Sequence, residues 1–466
     1  MKLSDVHSVY MLGIGGIGMS AIARYFHRQG IRVSGYDKTP SPLTRYLEAE
    51  GIPVYFEEDP ERADLSADLL VYTPAIPQNH KEFLKAKADH KTWYKRAEVL
   101  KSVTDQHSTL AVAGTHGKTT TTAILSHLLY HSGVKMAGFV GGVLSNYDSN
   151  LVCSSEVDYV VAEADEFDRS FHSLFPRVAA ITSLDPDHLD IYGSHDTMKA
   201  DFQQFADQVT DLLIVHESIA DQIDHSNKRT YGIGEGCDYR LSEMKVENGL
   251  FKFSVHTQTT SQGHTERSRS ETDSGTLNIQ TTVPGKHNAE NATAAIAIAL
   301  ELGLSNQQVE SAMASFKGVK RRFEHVVRTE DTVFIDDYAH HPKEIDAAIE
   351  ATRTLYPTKK LTVLFQPHLF TRTRDFEDEF AHSLSKADEL LLLDIYPARE
   401  EPIPGVSSAN LLNKVTLKTK ELVSKAQVVN AVLSLTPESV LLLGAGDIDR
   451  LVQPIATALK SAHHVE

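Results

Sequence analysis

The stretch that most constrains this chain is Ala113-Gly114-Thr115-His116-Gly117-Lys118-Thr119-Thr120-Thr121. It follows the apolar run Leu110-Ala111-Val112 and opens into Ala123-Ile124-Leu125-Ser126-His127-Leu128-Leu129, so it reads as strand, glycine loop and helix. In that setting glycines let backbone N–H groups turn inward and the helix N-terminus adds positive potential. Lys118 then reaches the outer phosphates and the Thr119 hydroxyl can ligate Mg2+. Val112 stands where a full Walker A motif has its first glycine, leaving the shorter G-x-x-G-K-T-T form. ATP is the expected ligand, held by Gly114, Thr115, His116, Gly117, Lys118, Thr119 and Thr120.

A chain of 466 residues is long enough for roughly three domains. Its net charge of −17 repels nucleic-acid backbones and anionic membranes, so neither is an expected partner and an anionic substrate must be met by local positive sites. Cys153 and Cys237 are the only cysteines, which argues against a disulfide framework and fits a reducing cytoplasm. The first residues lack the apolar core of a signal peptide and no apolar run approaches 18 residues, so a cytoplasmic enzyme is expected, as a monomer or weak homodimer.

A second glycine motif, Gly13-Ile14-Gly15-Gly16-Ile17-Gly18, lies between the apolar Ser8–Leu12 and a helical segment, and Asp37 follows a further strand 19 residues beyond its last glycine. This is a Rossmann-type fingerprint, in which the loop holds a diphosphate and Asp37 takes a ribose or base. The alternative is a tight packing turn with Asp37 as a helix-cap or surface acid. Leu69-Leu70-Val71-Tyr72 then leads into Thr73-Pro74-Ala75, a strand ending at the same sheet edge.

After the phosphate loop, two apolar strands run into Glu163-Ala164-Asp165-Glu166-Phe167-Asp168 and Asp185-Pro186-Asp187-His188-Leu189-Asp190. Thr119, Glu163 and His188 are the candidate Mg2+ contacts: hard oxygens plus one imidazole, with phosphate oxygens completing the shell. Residues 226–283 alternate and then turn polar from His256 through Ser274, which suggests a small antiparallel excursion with a mobile loop. A helix is expected from about Asn288. Beyond Gly318, four apolar strands end in polar turns, the pattern of another doubly wound sheet. Lys320-Arg321-Arg322 is either a phosphate contact or a solvated run. Arg372 is either a carboxylate-binding guanidinium or a surface arginine. Asp336-Asp337-Tyr338-Ala339-His340-His341 has two histidines but no further ligands at the spacing of a zinc site.

In this order, together with Gly285–Asn291, Arg321-Arg322-Phe323-Glu324, Gln366–Asp375 and Gly444-Ala445-Gly446-Asp447, these residues resemble the Mur ligases of bacterial cell-wall synthesis over nearly the whole chain. The resemblance is strongest to the branch that adds L-alanine to UDP-N-acetylmuramate. It implies an α/β protein of three domains: a Rossmann-like UDP-sugar domain over 1–105, a P-loop domain for ATP and Mg2+ over 106–317, and a Rossmann-like amino-acid domain over 318–466. It further implies that Gly15, Gly16, Gly18 and Asp37 hold UDP beside Thr73 and Ala75. Asn291 would meet the adenine, Arg322 and Asp337 the nucleotide, and Tyr338, His340 and Arg372 the amino acid. Lys118, His188 and His340 would be catalytic, and the three domains would close over the substrates. The implied process is peptidoglycan synthesis, and with it cell shape and division. Leu369 replaces an arginine frequent in the family. Gln203 stands where some sister ligases carry a modified lysine, so no such modification is expected. The sister branch that attaches a recycled muropeptide is the near alternative. A nicotinamide oxidoreductase and a regulatory P-loop NTPase are the remote ones.

Overall fold

The structure, a computed structural model, describes residues 3–166, 169–185, 194–247, 250–258, 275–398 and 400–462. It contains three sheets. The first comprises β1 (Ser8–Leu12), β2 (Arg32–Tyr36), β3 (Val54–Tyr55), β4 (Leu69–Tyr72) and β5 (Trp93–Lys95), all parallel in the order β3-β2-β1-β4-β5. The strand order reverses at β1, and ligands of such sheets bind outside the carboxyl ends of the strands at that switch. There Gly13–Gly18 leads into the helix Ile17–Arg28.

The second sheet has ten strands: β6 (Ser108–Ala113), β7 (Met136–Leu144), β8 (Ser149–Cys153), β9 (Tyr159–Glu163), β10 (Val178–Ile181), β11 (Leu212–His216), β12 (Lys228–Gly232), β13 (Tyr239–Glu247), β14 (Leu250–Thr257) and β15 (Thr276–Thr281). β6, which feeds the phosphate loop, runs parallel between β9 and β10, so Glu163 and the Thr182–Asp185 segment emerge on either side of that loop. The expected antiparallel excursion begins instead with a parallel step, Tyr231 opposite Tyr239. The Glu217 carboxylate holds the connection after β12, accepting the Ile233 and Gly234 N–H groups at 2.8 and 3.0 Å. Most of the polar segment expected to be a mobile loop lies outside the described residues. The alanine-rich helix starts at Lys286, two residues before the expected Asn288.

The third sheet, β16 (Glu324–Arg328), β17 (Val333–Asp337), β18 (Leu361–Phe365), β19 (Glu389–Leu392), β20 (Thr419–Leu422) and β21 (Ser439–Leu443), has the order β16-β17-β21-β18-β19-β20. It is parallel except for the edge strand β16.

Two compact units result, one of residues 1–243, 253–280 and 290–317, the other of 244–252, 281–289 and 318–466. The first sheet and most of the second share a unit because they share a core. The helix Ile17–Arg28 is buried along Met19–Phe26, and one apolar cluster joins its Ile22 and Phe26 to Val9 and Met11 of the first sheet and to Phe139, Leu151 and Val160 of the second. A helix buried over two successive turns, with Ser20 and Arg24 enclosed as well as its apolar residues, is covered on both sides. Among the described residues no helix is long and apolar enough to cross a membrane.

Candidate active site

In the first unit the phosphate loop forms as its residues require. Gly114 and Gly117 adopt φ of +134° and +82°, and the helix Lys118–His131 starts with no side chain capping its first turn. A Cβ on Gly114 would stand 2.1 Å from Thr182 Oγ1, and one on Gly117 would stand 2.3 Å from Asn291 Oδ1. Asn291 on the alanine-rich helix therefore sits at the loop itself. The loop is braced from the β10 side by a serine that sequence reasoning passed over: Ser183 Oγ lies 3.0 Å from Thr115 Oγ1 and accepts the His116 N–H at 2.9 Å. The Thr115 hydroxyl oxygen in turn accepts from the Asp185 N–H at 3.0 Å, and His116 Nε2 lies 3.7 Å from the Asp185 carboxylate. Thr120 is buried behind the loop.

Lys118 Nζ donates to Gly114 O at 2.6 Å and to Glu166 at 2.7 Å, with the Glu166 side chain only 1% exposed. Burial opposes its charge, but Glu166, Asp165 and Glu163 outweigh burial and hold the ammonium above the ordinary lysine range. Lys118 is thus held as a cation between the Gly114 carbonyl and Glu166. Thr119 Oγ1 donates to Glu163 Oε2 at 3.2 Å, and Glu163 Oε1 accepts the Gly141 N–H at 2.6 Å. This hydroxyl and carboxylate are the hard oxygens a Mg2+ ion prefers, and that ion takes few protein ligands when phosphates supply the rest. Among the described residues no group of three or more His, Cys, Asp or Glu side chains forms a metal cage. His188 lies outside the described residues. Gln203 faces away, its amide bonded to Asp207 and to the Asp224 backbone.

A cavity of about 390 Å³ links the two glycine motifs' surroundings, with Gly16, Gly18 and Thr73 on one wall and Glu163 and Asp165 on the other. Arg96, which the sequence reading missed, also lines it, and its Nη1 stands 3.2 Å from where a Gly18 Cβ would be. A guanidinium beside an uncapped helix N-terminus is a concentration of positive charge that suits a diphosphate. A lone arginine just after a short strand carries no motif, which is why the sequence did not reveal it. Asp37 accepts the Gly15 N–H at 2.8 Å and the Thr39 N–H at 3.2 Å, so it shapes the glycine loop directly. Ala75 is exposed on the neighbouring loop.

The second unit gathers a separate set. β17 runs through Asp337, so Asp336 and Asp337 belong to the strand end and not to the loop after it. The basic run divides: Arg321 Nη2 donates to Gly444 O at 2.5 Å and its Nε lies 3.5 Å from Asp336, while both Arg321 and Arg322 stand over the Tyr338 ring at 5.2 and 5.3 Å. Asp337 accepts the Phe323 and Ala339 N–H groups at 2.7 and 2.8 Å. His340 Nδ1 is 3.0 Å from Tyr338 O, an oxygen that only accepts, so Nδ1 carries the proton and Nε2 is left basic. The His340 and His368 rings lie 6.1 Å apart, and burial, with the nearby Arg372 charge adding to it, lowers the proton affinity of both. Arg374 is bound to Asp375 at 2.7 Å, and the Arg372 charge lies close enough to act on both His340 and His368. Leu369 takes φ +72°, where its N–H donates to Tyr396 O at 2.9 Å.

Burial pushes the Asp336 carboxyl up to about 7 against the pull of Arg321. A carboxyl raised above its unfolded value keeps its proton longer in the native state. The stability it confers is complete below about pH 4 and is lost as pH rises through the folded value, at up to about 1.4 kcal/mol per pH unit. Asp336→Asn is therefore expected to flatten the fall of melting temperature between about pH 4 and 7. An unchanged slope would assign that fall to other groups.

Comparison with known proteins identifies the family. The Mur ligase family catalytic domain matches residues 8–108, the Mur ligase middle domain 112–299 and the Mur ligase glutamate ligase domain 321–446. UDP-N-acetylmuramate–L-alanine ligase of Flavobacterium psychrophilum is 45% identical over 98% of this chain and 99% of its own. That of Porphyromonas gingivalis is 45% identical over 97% and 99%. The crystal structure of UDP-N-acetylmuramate-alanine ligase MurC from Thermotoga maritima matches with a TM-score of 0.82 at 26% identity, covering 98% of this chain and 99% of that one. With near-complete coverage and all three domains matched in order, the chain belongs to the Mur ligase family.

Proposed function

We propose that this protein is an ATP-dependent ligase that joins L-alanine to the carboxylate of UDP-N-acetylmuramate in peptidoglycan precursor synthesis, in the cytoplasm. The observation that carries the reading is the cavity running from the Gly16–Gly18 wall to Glu163, whose carboxylate Thr119 of the phosphate loop also touches. A nucleotide sugar held by the glycine motif would extend its carboxylate toward the phosphate loop. The functional division we assign is UDP-sugar over 1–105, ATP and Mg2+ over 106–317, and amino acid over 318–466.

In this reading Gly15, Gly16, Gly18, Thr73 and Arg96 receive the UDP-sugar, with Asp37 and Ala75 at the same edge. Gly114–Thr120, Asn291, Arg322 and Asp337 serve ATP. Thr119, Glu163 and His188 would hold Mg2+, which withdraws charge from the phosphates. The sugar carboxylate attacks the γ-phosphorus, ADP leaves, and an acyl phosphate forms. The alanine amine then attacks the acyl carbon, phosphate departs and one ammonium proton is released. Lys118 supplies fixed positive charge to the transferring group, and the first step is chiefly positioning and charge neutralisation. Tyr338 and Arg372 face the amino acid, Arg372 pairing with its carboxylate.

We assign the proton acceptance to His340. Burial, joined by Arg372, holds its imidazole below the ordinary histidine range, so it is neutral at pH 7 with Nε2 free of a proton. His340→Gln is expected to lower kcat by about 10²-fold and to abolish the acid limb of the pH–rate profile. A profile with its acid limb intact would remove His340 from this role.

The reading is tested by phosphate release with ATP, Mg2+ and UDP-N-acetylmuramate while L-alanine, glycine, L-serine, D-glutamate or a muropeptide is added. Stimulation by L-alanine, with a product one alanyl residue heavier, is expected. Stimulation by the muropeptide alone would move the protein to the recycling branch. A murein peptide ligase from Psychrobacter arcticus shares the fold at 21% identity and a TM-score of 0.68.

A further inference from the structure

The cavity's two walls are tied together by a buried amide that takes no part in the chemistry. Asn150 on β8 is completely buried. Its Nδ2 donates to the Ile17 carbonyl oxygen and, at 3.0 Å, to Ser20 Oγ, both in the first turn of the helix that follows the glycine motif. Its Oδ1 accepts from Arg24 Nη1 on the next turn of that helix. Arg24 is only 1% exposed and is clamped by Glu50, with Nε–carboxylate distances of 2.9 and 3.0 Å and Nη2 at 2.8 Å. The amide cannot be turned over: its NH₂ would face a guanidinium and its oxygen would face a carbonyl.

The partner strand of β8 continues the device. β7 lines the cavity with Phe139, Val140 and Gly141, and the Gly141 N–H is the donor that holds Glu163. One wall of the cavity is the first turn of the glycine-motif helix, the other is the β7 edge carrying Glu163, and Asn150 bonds the first to the hairpin that builds the second. The apolar packing between them is non-directional and leaves a sliding freedom that three directional hydrogen bonds remove.

We propose that Asn150, anchored through Arg24 and Glu50, is a positioning residue for the nucleotide sugar: it sets the distance between the diphosphate-binding turn and the Glu163 edge, and so where the substrate carboxylate arrives. The proposal rests on the ligase reading above. A displacement of about 1 Å at a reacting centre is worth about 10²-fold in rate, so a small slip at this contact reaches the chemistry.

The test uses the full-length protein with Asn150→Leu, which fills the space without the hydrogen bonds, and Glu50→Gln at the half-exposed end of the clamp. For Asn150→Leu, the KM for UDP-N-acetylmuramate should rise about tenfold or more and kcat should fall, while the KM values for ATP and L-alanine stay within twofold. Glu50→Gln should shift the same constant in the same direction by a smaller factor. Arg96→Ala gives the scale of a lost direct contact, raising that KM without a matching fall in kcat. Unchanged UDP-sugar constants in Asn150→Leu, or a parallel rise of all three KM values, would overturn the proposal. Should Asn150→Leu fail to fold, an unchanged UDP-sugar KM in Glu50→Gln would overturn it alone. A wild-type protein without alanine-dependent phosphate release would overturn the ligase reading instead.

Discussion

Replacing Lys118 with alanine is expected to lower kcat by at least 10²–10³-fold and, separately, to destabilise the protein. The rate loss follows from removing one preorganised charge from the transferring phosphoryl group, worth about 3–4 kcal/mol. The stability loss follows from the ground state, where Lys118 lies 2.7 Å from Glu166 and that carboxylate is almost fully buried. Removing one member of such a pair costs about 3–5 kcal/mol, because the remaining charge stays out of water. The two effects separate in the double variant Lys118→Ala with Glu166→Gln, in which the buried charge is gone. Its melting temperature should recover most of the loss while its turnover stays low. A Lys118→Ala enzyme with kcat within a few-fold of wild type would mean that this ammonium does not face the transferring phosphate.

Gly114→Ala is the second large effect. At φ +134° an L side chain is strained, at about 1–3 kcal/mol, and here the new methyl also has nowhere to go. It would meet Thr182 Oγ1 at 2.1 Å and the Ser183 and Thr182 backbone nitrogens at 2.9 and 3.0 Å. Thr182 cannot swing aside cheaply, because its hydroxyl is bonded to Ala113 O at 3.1 Å and His116 O at 2.5 Å. Overpacking of this kind adds about 1–3 kcal/mol. The loop must lift away from β10, and ATP affinity should fall by about 10²-fold or more with a lowered melting temperature. Gly133→Ala is the control: its φ is +80° but no atom lies within 4 Å of the added methyl, so only the backbone strain applies. Equal behaviour of the two variants in nucleotide binding would refute the steric argument.

Much of this site was legible residue by residue. The phosphate loop, Glu163 beside it and the glycine motif at the first β–α turn all depend on local grammar: an apolar strand, glycines at fixed offsets and a helix. Such patterns survive in one dimension because the ligand contacts are mostly backbone groups within a few residues. Arg96, Ser183 and Asn150 left no such trace. Each acts through a partner far along the chain: Gly18 for Arg96, His116 for Ser183 and Ile17 for Asn150. β17 keeps Asp336 and Asp337 within the strand, although two adjacent aspartates in sequence look like a loop, because Asp336 is buried against Arg321.

The sequence by itself determined the three α/β sheets, the order of the motifs along them and the family, since strand–loop–helix periodicity and near-neighbour glycines are encoded where they act. Only the tertiary structure decided which residues meet. It merged the first two sheets around the helix Ile17–Arg28, set Lys118 against Glu166, and opened one cavity between the glycine turn and Glu163. The physical reason is that burial and electrostatic pairing depend on distances in space, and residues 48 or 133 positions apart are brought together by packing that no local pattern records.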